Sequence, residues 1–232
     1  VPTVWQGLLE EMRRPGRKPA RLEVLYIGGS ALAQAMIRSF DGFGVRALHA
    51  WGMTEMSPIG TVTRPTPADD PEARIAEATP QGKRTFGVEL KIVDEDGRRL
   101  PHDDQATGEL LVRGHGVIAA YYDAPAASAK AFDTEGWFRT GDVARISPEG
   151  QLTIVDRTKD LIKSGGEWIS SIDLENAAIA CEGVAMAAAV AVPHPRWDER
   201  PLLAVIRAPG SEVVAATILE AMAARMPKWQ LP

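Results

Sequence analysis

The spacing of hydrophobic and polar positions divides the chain into stretches of different period. "RLEVLYIGGS", residues 21–30, is a short apolar run ending in a glycine pair, which predicts a buried strand entering a tight turn. "ALAQAMIRSF", residues 31–40, then carries apolar residues at helical spacing, with Ser30 placed as its N-cap. "VRALHA" predicts a second strand that delivers the chain into "HAWGMTEMSP", residues 49–58. Strand, glycine turn, helix, strand and loop make an α/β arrangement, in which ligands collect beyond the carboxyl ends of the strands. Residues 61–84 are rich in Pro, Asp, Glu and Ala without clear period, and predict a surface excursion. "GVELKIVD" and "GELLVRG" predict strands of a β-rich layer, "DAPAASAKAF" a short helix, and "VARIS", "PEG" and "QLTIVDR" a hairpin.

The last third changes character. "SSIDLENAAIACEG" opens with a capping box from Ser170 to Asp173 and closes on Gly183 around an apolar helical pattern. "VAMAAAVAVPH" and "PLLAVIRAPG" predict strands, and residues 211–226 a further helix. The expected fold class is therefore α/β: the end of a large α/β domain with a β-rich layer over residues 1–156, followed by a small α+β domain over residues 157–232.

Composition narrows the function classes. A net charge of -5 with scattered basic residues argues against nucleic acid as a partner, and the densest basic cluster, "RRPGRKPAR" at 13–21, suits a solvated connection. The single cysteine, Cys181, excludes an internal disulfide and sits in an apolar helical pattern as a small buried residue. No apolar run reaches the length of a membrane span and no signal core is present, so a cytoplasmic protein is expected.

Several short segments carry chemistry. Paired glycines in "YIGGS" make a tight turn and also let a flat base lie against the backbone. In "WGMTE", Trp51 offers an aromatic face, Thr54 a hydroxyl for a phosphate oxygen and Glu55 a hard oxygen ligand for magnesium. The same residues also suit a tryptophan anchored in the core beside a solvated glutamate, and the segment by itself leaves both open. "GWFRTGD", residues 136–142, sets Asp142 on a glycine turn where a carboxylate can accept ribose hydroxyls. "VDRTKDLIKSGGEWISS", residues 155–171, gathers Arg157, Lys159, Lys163 and a further glycine pair.

In this order, "YIGGS", "WGMTE", "TGD" and "DRTKDLIKSGGEWIS" resemble the adenylate-forming superfamily of acyl-CoA synthetases, luciferases and peptide-synthetase adenylation domains. The forms "WGMTEMSP" and "SGGEWISS" are most similar to its AMP-forming fatty-acyl-CoA synthetase branch. The resemblance implies that Gly28, Gly29 and Ser30 line the adenine pocket and that Trp51 stacks on the base, with Gly52 and Met53 completing that segment. It implies that Thr54 contacts the α-phosphate, that Glu55 holds magnesium, and that Asp142 and Arg157 hold the ribose. Lys159 falls at the hinge between the large and small domains. Lys163, Gly165, Gly166 and Glu167 fall on the loop that turns inward for thioester formation. His49 and Ala50 stand where many relatives carry Gln-Gly.

The implied activity is ATP-dependent conversion of a fatty or other carboxylic acid to an acyl-adenylate, followed by transfer to coenzyme A, with at most peripheral membrane contact. The family's phosphate loop and its adenylation lysine have no counterpart here, and Lys228 lacks that lysine's context. The chain thus resembles the C-terminal portion of such an enzyme and is expected to be inactive in adenylation alone. Two alternatives stay open: a ligase of the same superfamily for a short or sulfur-containing acid or a carrier-protein acceptor, and a non-catalytic nucleotide-binding module. Acid identity and oligomeric state are not legible.

Overall fold

The computed structural model describes residues 2–17, 19–30, 32–65 and 69–232. The chain forms two compact units, Val1–Ile154 and Val155–Pro232.

The first unit opens with α1 (Pro2–Met12), β1 (Val24–Ile27), α2 (Gln34–Gly42) and β2 (Arg46–Gly52). β1 and β2 pair in parallel, Ile27 opposite His49, with α2 as the crossover between them. Ile37 and Phe40, one turn apart on α2, are buried with Leu25, Ile27 and Leu48, each contributing about 2 kcal/mol by leaving water. The helix starts later than the sequence pattern predicts. Its N-cap is Ala33, which makes no side-chain cap bond, so Ser30 does not cap it. Leu32 is buried in the same core ahead of the first turn, and Ala33 is extended, which delays the helix.

The surface excursion predicted over 61–84 is also corrected, although residues 66–68 lie outside those described. β3 (Ile59–Val62), α3 (Pro71–Ala78) and β4 (Gly82–Arg84) fall in or across this stretch. Asp70 caps α3 by accepting from the amides of Glu72 and Ala73 at 3.3 and 3.2 Å, and Pro71 fits the first turn, where no amide is needed. Arg74 then forks onto Asp41 of α2, with Nε and Nη2 each 2.8 Å from a carboxylate oxygen. The guanidinium holds the Asp41 carboxyl below the usual carboxylate range.

β5 (Val88–Val93), β6 (Gly108–Gly114), α4 (Pro125–Ala131), β7 (Phe138–Ile146) and β8 (Gln151–Arg157) follow, the last three residues of β8 belonging to the second unit. The expected β-rich layer is continuous with the β1–β2 part, because all eight strands join one sheet in the order β1-β2-β3-β4-β8-β7-β6-β5. Leu90, Ile92, Leu110, Val112, Phe138, Ile146 and Leu152 bury their side chains together with Trp51.

The second unit contains β9 (Ile162–Ser164), β10 (Glu167–Ile169), α5 (Ser171–Ile179), β11 (Val184–His194), β12 (Asp198–Arg207) and α6 (Ala215–Ala223). Its strands form a sheet in the order β10-β9-β12-β11. Ile162, Ile169, Leu174, Ala178 and Met222 make its core, and Cys181 is buried among them without a disulfide. The predicted cap of α5 is present: the Ser170 hydroxyl accepts from the Asp173 amide at 3.1 Å and donates to the Val155 carbonyl at 2.7 Å. Beside it, buried Asp156 accepts from the Ser171 amide at 2.6 Å, the Ser171 hydroxyl at 3.1 Å and the Arg157 amide at 2.7 Å. Burial pushes the Asp156 carboxyl up, and these bonds oppose the shift.

Asp156→Ala leaves buried donors at the start of α5 without their acceptor. The expected cost is about 2 kcal/mol, seen as a lower denaturant midpoint at unchanged m value.

Candidate functional site

The segment after β2 is shaped by its exit from the sheet. Thr54, Glu55 and Met56 form a single 3-10 turn, with the Met56 amide on the Met53 carbonyl at 2.9 Å and Ser57 closing it in the left-handed region at φ 57°. Thr54 is exposed and Glu55 half-buried, while Met56 points into the core. This turn lies at the carboxyl end of β2, beside the carboxyl end of β1, where Gly28 is half-buried and Gly29 and Ser30 are exposed. A Cβ on Gly28 would stand 2.6 Å from the Ala50 carbonyl oxygen, so this glycine is required by strand packing, whatever lies against it. His49 is buried, with Nδ1 3.0 Å from the Thr79 carbonyl and 3.1 Å from the Gln81 amide nitrogen, and burial pushes its imidazole down toward the neutral form.

Trp51 is not the exposed aromatic face that its segment suggests. Only 9% of it is accessible, and its Nε1 donates to Asp142 Oδ2 at 2.8 Å. Asp142 is itself 2% exposed and follows Gly141, which takes φ 73°. The Asp142 amide donates to the Thr140 hydroxyl at 3.1 Å, and that hydroxyl donates to the Leu110 carbonyl at 2.8 Å. β3, β4 and β8 lie between β2 and β7 in the sheet order. In a flat sheet that separation would be about 19 Å, beyond the reach of these two side chains. The sheet is therefore curled enough to bring its carboxylate and its indole together, and Trp51 packs inside the curl.

One side of the indole is seated on Gly60. A Cβ there would stand 2.5 Å from Trp51 Cζ3 and 2.7 Å from both Trp51 Cε3 and the Met56 methyl. Glu55 is held from elsewhere in the same unit: the Tyr121 hydroxyl donates to Oε1 at 3.0 Å, and the Ile118 amide donates to the Glu55 carbonyl at 2.9 Å. Burial first and Glu55 second push the Tyr121 phenol up, so it stays a donor. Gly60 and Tyr121 carry no signal in the sequence pattern, since both act on residues distant along the chain.

The remaining predicted residues belong to the second unit. Lys159 is exposed on the turn closed by the Asp160 and Leu161 amides on the Arg157 carbonyl, each 3.0 Å, and Arg157 is also exposed. Lys163, Gly165, Gly166 and Glu167 are exposed on the β9–β10 hairpin, where Glu167 pairs with Ser164. That hairpin is mounted on the β11–β12 turn. The Gly165 amide donates to the Trp197 carbonyl at 2.9 Å, and the Lys163 amide to Glu199 Oε2 at 2.8 Å. Arg200 donates to the Ser164 hydroxyl at 3.1 Å and to the carbonyls of Trp229 and Leu231 at 2.7 and 2.6 Å. Trp197, Glu199 and Arg200 were not legible as part of this hairpin's support.

The fold is that of adenylate-forming enzymes: the whole chain matches 44% of the ATP-bound structure of MatB from Rhodopseudomonas palustris, with a TM-score of 0.85 and 27% sequence identity. The chain belongs to the AMP-binding enzyme family, whose model matches residues 1–122, and the model of the AMP-binding enzyme C-terminal domain matches residues 173–232. Over its whole length it is 48% identical to the 3-methylmercaptopropionyl-CoA ligase of Ruegeria lacuscaerulensis and 45% identical to the medium-chain-fatty-acid–CoA ligase of Ectopseudomonas oleovorans. It spans 43% of the length of each.

Gly60→Ala drives a methyl group into the buried indole. The expected loss is about 1–3 kcal/mol of stability, measured as a fall in the thermal midpoint of the chain.

Proposed function

We propose that the protein carrying this chain is an AMP-forming acyl-CoA ligase, and that the first unit contributes the nucleoside end of its active site. The observation that carries this reading is the bond from Trp51 to Asp142, with Glu55 on the adjoining turn. Asp142 is the ribose acceptor in this reading, and the indole that donates to it also orients it. Gly28, Gly29 and Ser30 face the base together with Gly52 and Met53, and the exposed Thr54 hydroxyl donates to the α-phosphate.

Among the described residues no group of three or more His, Cys, Asp or Glu side chains could hold a metal ion. A single half-buried carboxylate nevertheless suits an ion that arrives with phosphate oxygens, because magnesium is commonly held by one or two carboxylates plus substrate phosphates. Glu55 would hold it, and its charge would offset that of the phosphates. In the proposed reaction the acid's carboxylate attacks the α-phosphorus, pyrophosphate leaves, and the thiol of coenzyme A then displaces AMP from the acyl-adenylate. The chain's own contribution to the first half is to bind and orient the nucleoside.

Lys159 is the proposed swivel of the second unit, and the loop from Lys163 to Glu167 the proposed participant in thioester formation. The acid remains between two classes, because relatives of similar identity are named for a sulfur-containing and for a medium-chain acid. Among the described residues no helix is long and apolar enough to cross a membrane.

The test is a substrate panel on the whole protein, containing 3-methylmercaptopropionate, octanoate and palmitate, with adenylate and thioester scored separately. Formation of both products from at least one acid is expected, and neither product from any carboxylic acid would remove the ligase reading. Lys159→Pro in the same protein is expected to slow thioester formation by at least about tenfold while leaving adenylate formation near the parent rate. Equal loss of both half-reactions would remove the swivel.

A further inference from the structure

The segment after β6 wraps the Glu55 turn at several points. The Val117 amide closes a turn on the Gly114 carbonyl at 3.1 Å, and the next amide, of Ile118, donates to the Glu55 carbonyl at 2.9 Å. Gly116 lies so close to the turn that a Cβ on it would stand 2.7 Å from the Met56 carbonyl oxygen. Tyr121 then reaches the Glu55 carboxylate from 66 residues away in sequence, at 3.0 Å. Its own position is fixed twice. The Tyr121 amide donates to the Ser128 hydroxyl at 2.9 Å, which donates to the Ala124 carbonyl at 2.9 Å, and its ring meets Phe138 edge-on at 6.4 Å between centroids.

We propose that Tyr121 is a positioning residue for Glu55: by taking one carboxylate oxygen, the phenol presents the other to the metal–phosphate complex of a bound nucleotide. The inference rests on the reading of Glu55 as the magnesium-holding carboxylate. The half-buried Glu55 side chain would otherwise sample several rotamers, and binding would have to select one of them. The phenol makes that selection before the ligand arrives. It is also a neutral donor, so the carboxylate is oriented while its charge stays available to a cation, which a lysine or arginine at the same place would offset. Among the described residues, Tyr121 is the one side chain bonded to the Glu55 carboxylate.

The whole protein, freed of nucleotide, is titrated with Mn2+ in the presence of a non-hydrolysable ATP analogue. Bound metal is read from the loss of the free-Mn2+ electron paramagnetic resonance signal. Metal-free AMP binding and the melting temperature of the unliganded protein are measured alongside. For Tyr121→Phe we expect the Mn2+ dissociation constant to rise about five- to tenfold, as the cost of ordering one otherwise free side chain on binding predicts. AMP affinity and melting temperature should match the parent. Glu55→Gln should lose more metal affinity, and adding Tyr121→Phe to it should cost little further. Unchanged Mn2+ affinity in Tyr121→Phe, with Glu55→Gln impaired, would overturn the positioning role and leave the Glu55 reading intact. Unchanged affinity in Glu55→Gln would overturn the Glu55 reading itself. A fall in AMP affinity and melting temperature in Tyr121→Phe would assign the phenol a structural role and overturn the proposal.

Discussion

The constraint on which the first unit depends is the bond between the Trp51 indole and the Asp142 carboxylate, 2.8 Å long and 91 residues apart in sequence. Strands β3, β4 and β8 lie between the two that carry these residues, so the sheet must curl for the bond to exist. The curl makes an interior that Leu90, Leu110, Val112, Phe138 and Leu152 fill. A buried carboxylate without donors is costly, and here the fold meets that cost with the side chain that also closes the curl. Stability and the geometry of the site are thus two consequences of one contact. Gly60 belongs to the same constraint, because only a residue without a Cβ lets the adjoining strand come so near the indole.

Much of the fold was legible because local signals agreed with the tertiary outcome. The strand and glycine turn before Gly28, the capping serine at Ser170 and the hairpin from 143 to 157 are each written within a few residues. The errors have equally local causes. Ser30 resembles a cap, but burial of Leu32 carries the chain past it before the helix begins. Asp70 followed by Pro71 is a sound helix start within a stretch whose composition suggests a loop, and composition outweighed it. Strand β4 is too short, at three residues, to show alternation.

The site was legible in its residue types and illegible in its arrangement. Indole, hydroxyl and carboxylates in a fixed order suggest a nucleotide, and the family match supports that suggestion. Nothing in the order indicates that the indole is bonded edge-on to Asp142, or that its face is packed within a core. Of the two open readings of "WGMTE", the core anchor describes Trp51, while Glu55 is half-buried and bonded to Tyr121. Tyr121 could not have been picked out, because two adjacent tyrosines in an aperiodic stretch give no reason to prefer one. The structure separates them: Tyr121 is half-buried against Glu55, and Tyr122 is 99% exposed.

The chemistry of the donors has its own logic. Trp51 donates to Asp142 and Tyr121 to Glu55, and both donors are neutral. Elsewhere in the unit Asp41 pairs with Arg74 and Asp133 with Lys91, and these carboxylates meet cations. A cation stabilises a carboxylate by offsetting its charge, and the pair then has little left for a third party. A neutral N–H or O–H fixes the direction of a carboxylate and leaves most of its negative potential outward. For groups proposed to accept sugar hydroxyls or to meet a metal ion, that is the more useful arrangement. It also makes the Tyr121 contact sensitive to conservative replacement, since Tyr121→Phe keeps the ring while removing the directing atom.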